Sequence, residues 1–513
     1  MKIKYNFLIM TKNNLLRIIR KSKNIFFDFL NKHLISKLYF SFIKDLLNKD
    51  KEIEKKLNKL IKENKFAAGY VPYISGRTEI NIYNFFSINY GIRSKFDLIV
   101  AFTDHNFKSL FSIYKELNSR DILSISSREI DSHNSKNQKI SFCIILLLNK
   151  RMKSNHAGMV GGHLRYWANY DNFSCYVHSL PLTNIFQNKV FKLIQKLKFN
   201  KIGHLHERRY YPESADLALH YGVGADTIVI PKRGDLSNEL IAPFGFSLIK
   251  QKNSVRAIYH NTTFNRSDRF NNSYNNIIHG VAIPPHIECD LEMYFGEACS
   301  ERSQFNVFLW EKDLKSKNIK ILEKVEISID DIKKPILLSN LFEIKNKASS
   351  HYWLTFKPIS GLHDKSYINI FYKSKNNQIF DNVHSHDFRK NNRNNSFSQR
   401  ALKFCPFKLN LSKEFYPILA LWSGKDKSVE ARLRIFCSGK NNFENIFKLN
   451  LPREEIIYIN LKEYMDKDLE VNKDTIFIAQ IECDELNINA SMFNIKLNKD
   501  NLQSIAVDHL TGG

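Results

Sequence analysis

Beyond residue 66 the chain is written in short apolar runs with a two-residue alternation, each closed by a cluster of Asn, Asp, Gly or Ser. Ile80–Asn89, Asp97–Phe102, Ile122–Ile125 and Ile140–Leu148 have this form. Successive side chains of an extended strand point to opposite faces, so such runs bury one side of a sheet and do not fit the 3.6-residue period of a helix. Their length and punctuation predict short antiparallel strands. With 513 residues the chain exceeds one ordinary core and asks for about three to four domains of about 100–150 residues each.

The runs also repeat. FDLIVAFTDHNFKSLFSIYKELNSRDILSISSREI (96–130) resembles VEARLRIFCSGKNNFENIFKLNLPREEIIYINLKEY (429–464). Phe102 and Phe436 each close a strand, and 19 residues later Asp121 and Glu455 open DILSISSREI and EIIYINLKEY. A fainter middle copy places Phe305–Trp310 at the paired strand and Ile336–Leu341 after the acid. The copies end alike, in Tyr176-Val177-His178, Asn382-Val383-His384 and Ala506-Val507-Asp508-His509. A hairpin, a polar stretch and an alternating strand make one side of a small antiparallel sandwich of immunoglobulin-like kind. The expected fold is therefore mainly β, with two to three related antiparallel β-sandwich-like domains in tandem behind an α-helical basic N-terminal region. The expected order is a basic amphipathic helical region at 1–65, copy 1 at 67–180 and a helix with a non-repeated connecting segment at 183–245. Copy 2 at 246–388, an Asn-rich linker at 389–399 and copy 3 at 400–513 complete it.

Two stretches depart from the β pattern. In 11–65, Leu15, Ile18, Ile19, Phe26, Phe27 and Leu30 recur at helical spacing, with neither Gly nor Pro among them. Lysines on the other faces suit either an anionic membrane or packing on the next domain. In Asn184–Phe199, Ile185, Phe186, Val190, Phe191, Ile194 and Leu197 form one stripe, with Thr183 as its N-cap.

The net charge of +25 invites a nucleic-acid reading, but no clustered Arg and aromatic signature accompanies it. Residues 1–65 hold 17 Lys and Arg against 6 Asp and Glu. Elsewhere Lys comes with abundant Asn, Ile and Phe, all with AT-rich codons, so a biased genome accounts for the charge. The seven Cys are scattered, odd in number and without CxxC spacing, which reads as reduced core thiols. No segment reaches the roughly 18 uncharged apolar residues of a membrane span. A cytoplasmic protein, peripheral to the membrane if residues 1–65 touch it, is expected.

Histidine placement offers the main chemistry. His204-Leu205-His206-Glu207 and His384-Ser385-His386-Asp387 are each HxH followed by a carboxylate. Two residues apart on one strand, both imidazoles face one side and suit a divalent transition metal. Pro212–Tyr221 is expected as a short helix ended by Gly222, with Asp and Glu in its first turn. Arg208, Arg209, Lys232 and Arg233, with His220 nearby, suit an anionic group such as a phosphate or an acidic sugar, or tie loops together between domains. Tyr70, Tyr166, Trp167, Tyr170, Trp310, Trp353 and Trp422 suit sugar rings if exposed and a sandwich core if not. Without a nucleophile elbow or dinucleotide fingerprint, the first expectation is a non-catalytic binding or scaffold protein, without cofactor, for a carbohydrate or another protein. The alternative is a metal-dependent enzyme with a His-based site in 203–245.

Overall fold

The computed structural model describes residues 55–509, apart from connections of which the longer are 84–93, 153–164, 182–207, 236–243, 263–277, 296–302, 361–367, 389–400, 409–414, 438–443 and 466–475. The helix expected at 184–199 lies outside the described residues, as does nearly all of 11–65. Residues 55 and 57–60 are helical, and Leu57 is buried in the core of the strands that follow. The protein is mainly β, in antiparallel sheets with few helices.

The first group of strands is β1 (Phe66–Pro72), β2 (Glu79–Tyr83), β3 (Phe96–Thr103), β4 (Ser109–Leu117), β5 (Ile122–Ile125), helix α1 (Ser127–His133), β6 (Phe142–Leu148), β7 (Arg165–Tyr170), β8 (Phe173–His178) and β9 (Leu180–Pro181). They pair as β4-β3-β6-β1-β9 and β5-β2-β7-β8. A second group is β10 (Arg208–Arg209), β11 (Leu217–Gly222), β12 (Thr227–Val229), β13 (Gly234–Asp235), β14 (Phe244–Gln251) and β15 (Ser254–Thr262), paired as β10-β13 and β12-β11-β14-β15.

A third group is β16 (Ile278–Ala282), β17 (Asp290–Phe295), β18 (Ser303–Asp313), β19 (Ile319–Ile329), β20 (Ile336–Leu337), helix α2 (Leu338–Leu341), β21 (Ser350–Ser360), β22 (Ile368–Lys373), β23 (Ile379–His384) and β24 (His386–Phe388). Its sheets are β19-β18-β21-β16-β24 and β20-β17-β22-β23. The fourth is β25 (Ala401–Lys408), β26 (Phe415–Ser423), β27 (Val429–Cys437), β28 (Glu444–Leu451), β29 (Ile457–Asn460), a 3-10 turn (Leu461–Tyr464), β30 (Ile476–Cys483), β31 (Ile488–Asn498) and β32 (Asn501–His509). It pairs as β25-β30-β27-β28 and β29-β26-β31-β32.

Counted within each group, the first, third and fourth share one strand order: fourth-third-sixth-first in one sheet, fifth-second-seventh-eighth in the other. The second group keeps the first-sixth pair and the fifth-second-seventh-eighth sheet but omits the third-fourth hairpin. Only residues 223–226 separate β11 from β12, too few for two strands. The segments matched in the sequence repeat fall on corresponding strands, Phe102 in β3 and Phe436 in β27, with Asp121 and Glu455 just ahead of β5 and β29.

Two expectations change here. Leu217–Gly222 is a strand, not the second half of a helix over 212–221. Hydrogen-bonded ladders with β12 on one side and β14 on the other outweigh the local helical preference of Leu-Ala-Leu. The boundary expected at 245/246 falls inside β14, which pairs with β11 and β15.

Burial alternates along β28 and the first part of β27 but not along the central strands. β6 is buried at all seven positions, the pattern of a strand covered on both faces. The sheet of β26 is also apolar on both sides. Leu419, Leu421, Ala490 and Met492 join the core of the fourth group, while Ile418, Ala420, Trp422, Phe493 and Ile495 join that of the third. The eighth strands of the four groups adjoin in a circuit: β8 lies against β15, β15 against β23, β23 against β32, and β32 against β8.

Candidate functional site

Along β17, Leu291 and Met293 point into the apolar core, so Asp290, Glu292 and Tyr294 share the opposite face. On the neighbouring β22, Lys373 lies across from Asp290. Glu292, Tyr294 and Lys373 are all buried. The Lys373 ammonium donates to Glu292 Oε2 at 3.1 Å and stands 3.9 Å from Asp290 Oδ2. The Tyr294 hydroxyl donates to Glu292 Oε1. Ser339, in α2, donates its hydroxyl to Asp290 Oδ2 at 2.9 Å and its backbone N–H to Oδ1 at 3.1 Å. The result is one buried cation between two carboxylates whose oxygens already accept from neighbours.

Such a cluster is costly to desolvate and holds only while its members remain paired. Using Lys373 as a nucleophile or base would leave two carboxylates without their cation. Chemically the arrangement suits a latch that fixes β17, β22 and α2 in register.

Other polar groups join one strand group to another. Gln251, at the β14–β15 turn, donates to the carbonyls of Ser214 (2.9 Å) and Asn377 (2.8 Å) and accepts from the Ile379 N–H at 3.0 Å. The buried Asp381 carboxylate in β23 accepts from the Val507 N–H of β32 at 3.0 Å. Between the third and fourth groups, the Tyr458 hydroxyl donates to the Tyr352 carbonyl at 2.7 Å and accepts from the Ile283 N–H at 2.9 Å. Burial pushes that phenol well above its ordinary range. Lys312 pairs with the buried Glu455 across the same junction.

Of the residues singled out by sequence, His204, His206, Lys232 and Arg233 lie outside the described residues. Arg208 and Arg209 form β10 and pair with Asp235 and Gly234. His220 sits in β11, across from Ile228 and Ser247. His384 ends β23 and His386 begins β24, strands of two different sheets, so the one-strand geometry expected of this HxH pair does not apply. Among the described residues no three His, Cys, Asp or Glu side chains gather in a metal-binding arrangement.

Tyr70, Trp353 and Trp422 are fully buried. Trp310 stacks on Trp353 at 6.0 Å and donates to Thr355 at 2.8 Å. These four are packing residues; Tyr166, Trp167 and Tyr170 belong to β7. Cys143, Cys289, Cys437 and Cys483 are thiols, none in a disulfide, and burial pushes the Cys143 thiol far up.

Sequence reading missed the cluster of Asp290, Glu292, Tyr294 and Lys373. The signal was present: DLEMYF carries acids and a tyrosine at the alternate positions that in YPILALW are Ile418, Ala420 and Trp422. No family model matches the chain, and no curated protein matches it.

Proposed function

We propose that the chain is a non-catalytic binding or scaffold protein, built of β-sandwich units repeated in tandem, whose ligand is a carbohydrate or another protein. Three full units and one abbreviated unit are read as copies of a single ancestral module. With two sheets of four core strands, the module fits the eight-stranded double-sheet class better than the immunoglobulin order, in which the first two strands share a sheet. One observation carries the reading. The buried charged and amide side chains of Glu292, Lys373, Gln251 and Asp381, with the half-buried Asp290, spend their hydrogen bonds on the protein's own strands, as framework does and as poised catalytic groups do not.

Saturable binding of the purified full chain on an array of glycans, with no transition metal at stoichiometric level by elemental analysis, is the expected result. A stoichiometric metal that disappears in His204→Ala/His206→Ala would replace this reading with the metal-dependent enzyme. Fold likeness alone supports no ligand, so the array identifies the ligand class as well.

A further inference from the structure

Apolar exposure among the described residues is concentrated in one place. Of six exposed large hydrophobic residues among those described, four, Leu314 (36%), Ile319 (39%), Ile321 (46%) and Leu322 (44%), lie on the tip of the β18–β19 hairpin. This hairpin is also the longest of its kind. Its strands run 11 residues each, against 8 and 9 for β3 and β4 and 9 and 8 for β27 and β28. Every residue from 314 to 324 is exposed, and β19 is the outermost strand of its sheet.

The tip is built, not loose. Asp313 Oδ1 accepts from the N–H groups of Lys315 (2.9 Å) and Ser316 (2.7 Å) and from the Ser316 hydroxyl (3.0 Å). The Asp313 N–H donates to the Asn318 carbonyl at 3.0 Å and that of Leu314 to the Ser349 carbonyl at 2.8 Å. Next to the turn, Glu311 accepts from Ser350 and Tyr352 and pairs with Lys320. The register slips between Leu309 and Trp310, so Leu322 is the extra residue of a bulge, while Ile319 and Ile321 share one face.

Charge identifies the partner. Residues 314–324 hold Lys315, Lys317, Lys320 and Lys324 against Glu323 alone. Lysines on an edge strand guard against strand pairing, but that role does not require four exposed aliphatic side chains beside them. Protein interfaces favour Tyr, Trp and Arg and are depleted in Lys. Aliphatic residues ringed by lysines match a bilayer with anionic headgroups, where the apolar side chains enter the boundary and the ammonium groups meet phosphate and carboxylate. We propose that the β18–β19 tip docks on an anionic membrane surface. This site is separate from the basic N-terminal region, and the proposal stands independently of the ligand named above.

The test uses the full chain and sedimentation with vesicles of phosphatidylcholine, with and without about one third phosphatidylserine. Binding only to the anionic vesicles, weakening with added salt, is expected. Lys315→Gln/Lys317→Gln/Lys324→Gln should weaken it about a hundredfold, from about fivefold per lysine. Ile319→Ser/Ile321→Ser/Leu322→Ser should weaken it at least about tenfold. All six positions are exposed, so unchanged thermal unfolding checks that both variants remain folded. Failure of the parent chain to bind anionic vesicles overturns the proposal. So does binding that both variants retain in full, which would assign the contact to residues 1–65. Tip-dependent capture of polyglutamate in place of vesicles would overturn it in favour of an acidic protein.

Discussion

The sheets containing β17 and β26 occupy equivalent places in their groups and bury their outward faces by opposite means. On β26 that face is Ile418, Ala420 and Trp422, packed into the core of the neighbouring group. On β17 it is Asp290, Glu292 and Tyr294, closed by Lys373 from the next strand. One junction gains from apolar burial and tolerates any arrangement that fills its volume. The other gains little net energy, since its charges lose water, but it accepts one geometry only. The same strand order thus supports an adhesive face and a selective one.

Trp422→Ala should break the apolar side most severely. Removal of a fully buried indole costs about 3–5 kcal/mol, read as a lowered denaturant midpoint in chemical unfolding. Lys373→Met should cost about 3 kcal/mol, because Glu292 stays buried without its cation. Adding Glu292→Leu to that variant should recover part of the loss, whereas no second substitution beside Trp422→Ala recovers its volume so simply. If Lys373→Met is neutral in the same unfolding measurement, the latch reading of β17 fails.

Gln251→Ala tests the polar junction at a distance from the cluster. It leaves the Ile379 N–H and two carbonyls without their amide partner, and about 1–3 kcal/mol is expected. Hydrogen exchange should report the loss as faster exchange at Ile379. The smallest effect concerns a buried carboxylate outside both faces, Glu311 of β18. Burial of Glu311 opposes its ionisation, but hydrogen bonds from Ser350, Lys320 and Tyr352 outweigh it and hold the carboxyl below its ordinary value. A folded pKa below the unfolded one means that ionised Glu311 stabilises the fold above about pH 4.3. That contribution drains away as pH falls through the depressed value. Stability measured against pH should therefore lose part of its acid-side slope in Glu311→Gln.

Long alternating runs were readable because half-buried strands write their period into the chain. β27 and β28 are examples, and the likeness of 96–130 to 429–464 marks strands with the same place in the sheet order. The abbreviated group was not readable. β10 and β13 are two residues long and β12 three, too short to show any period, and Pro212–Tyr221 carries local features of a helix start and stop that pairing overrides. The HxH pairs drew attention because imidazoles two apart suggest a metal. Yet whether 384 and 386 share a strand depends on where the chain changes sheets, which no local pattern records. The Lys373 cluster was missed for the converse reason. Each member is an ordinary strand residue, and only the register of β17 with β22 brings cation and carboxylates together.

The circuit of eighth strands bears on the order in which such a chain can be finished. β8 leaves the ribosome long before β32, yet each lies against the other in the completed fold. Until β32 is made, the first group must wait without that neighbour. The contact joins residues 173–178 to 501–509 and is costly in chain entropy. Once made, it closes the four described groups on one another, so that β8 and β32 each cover the other. Resistance to stepwise opening is thus obtained in exchange for a slow and exposed closing step.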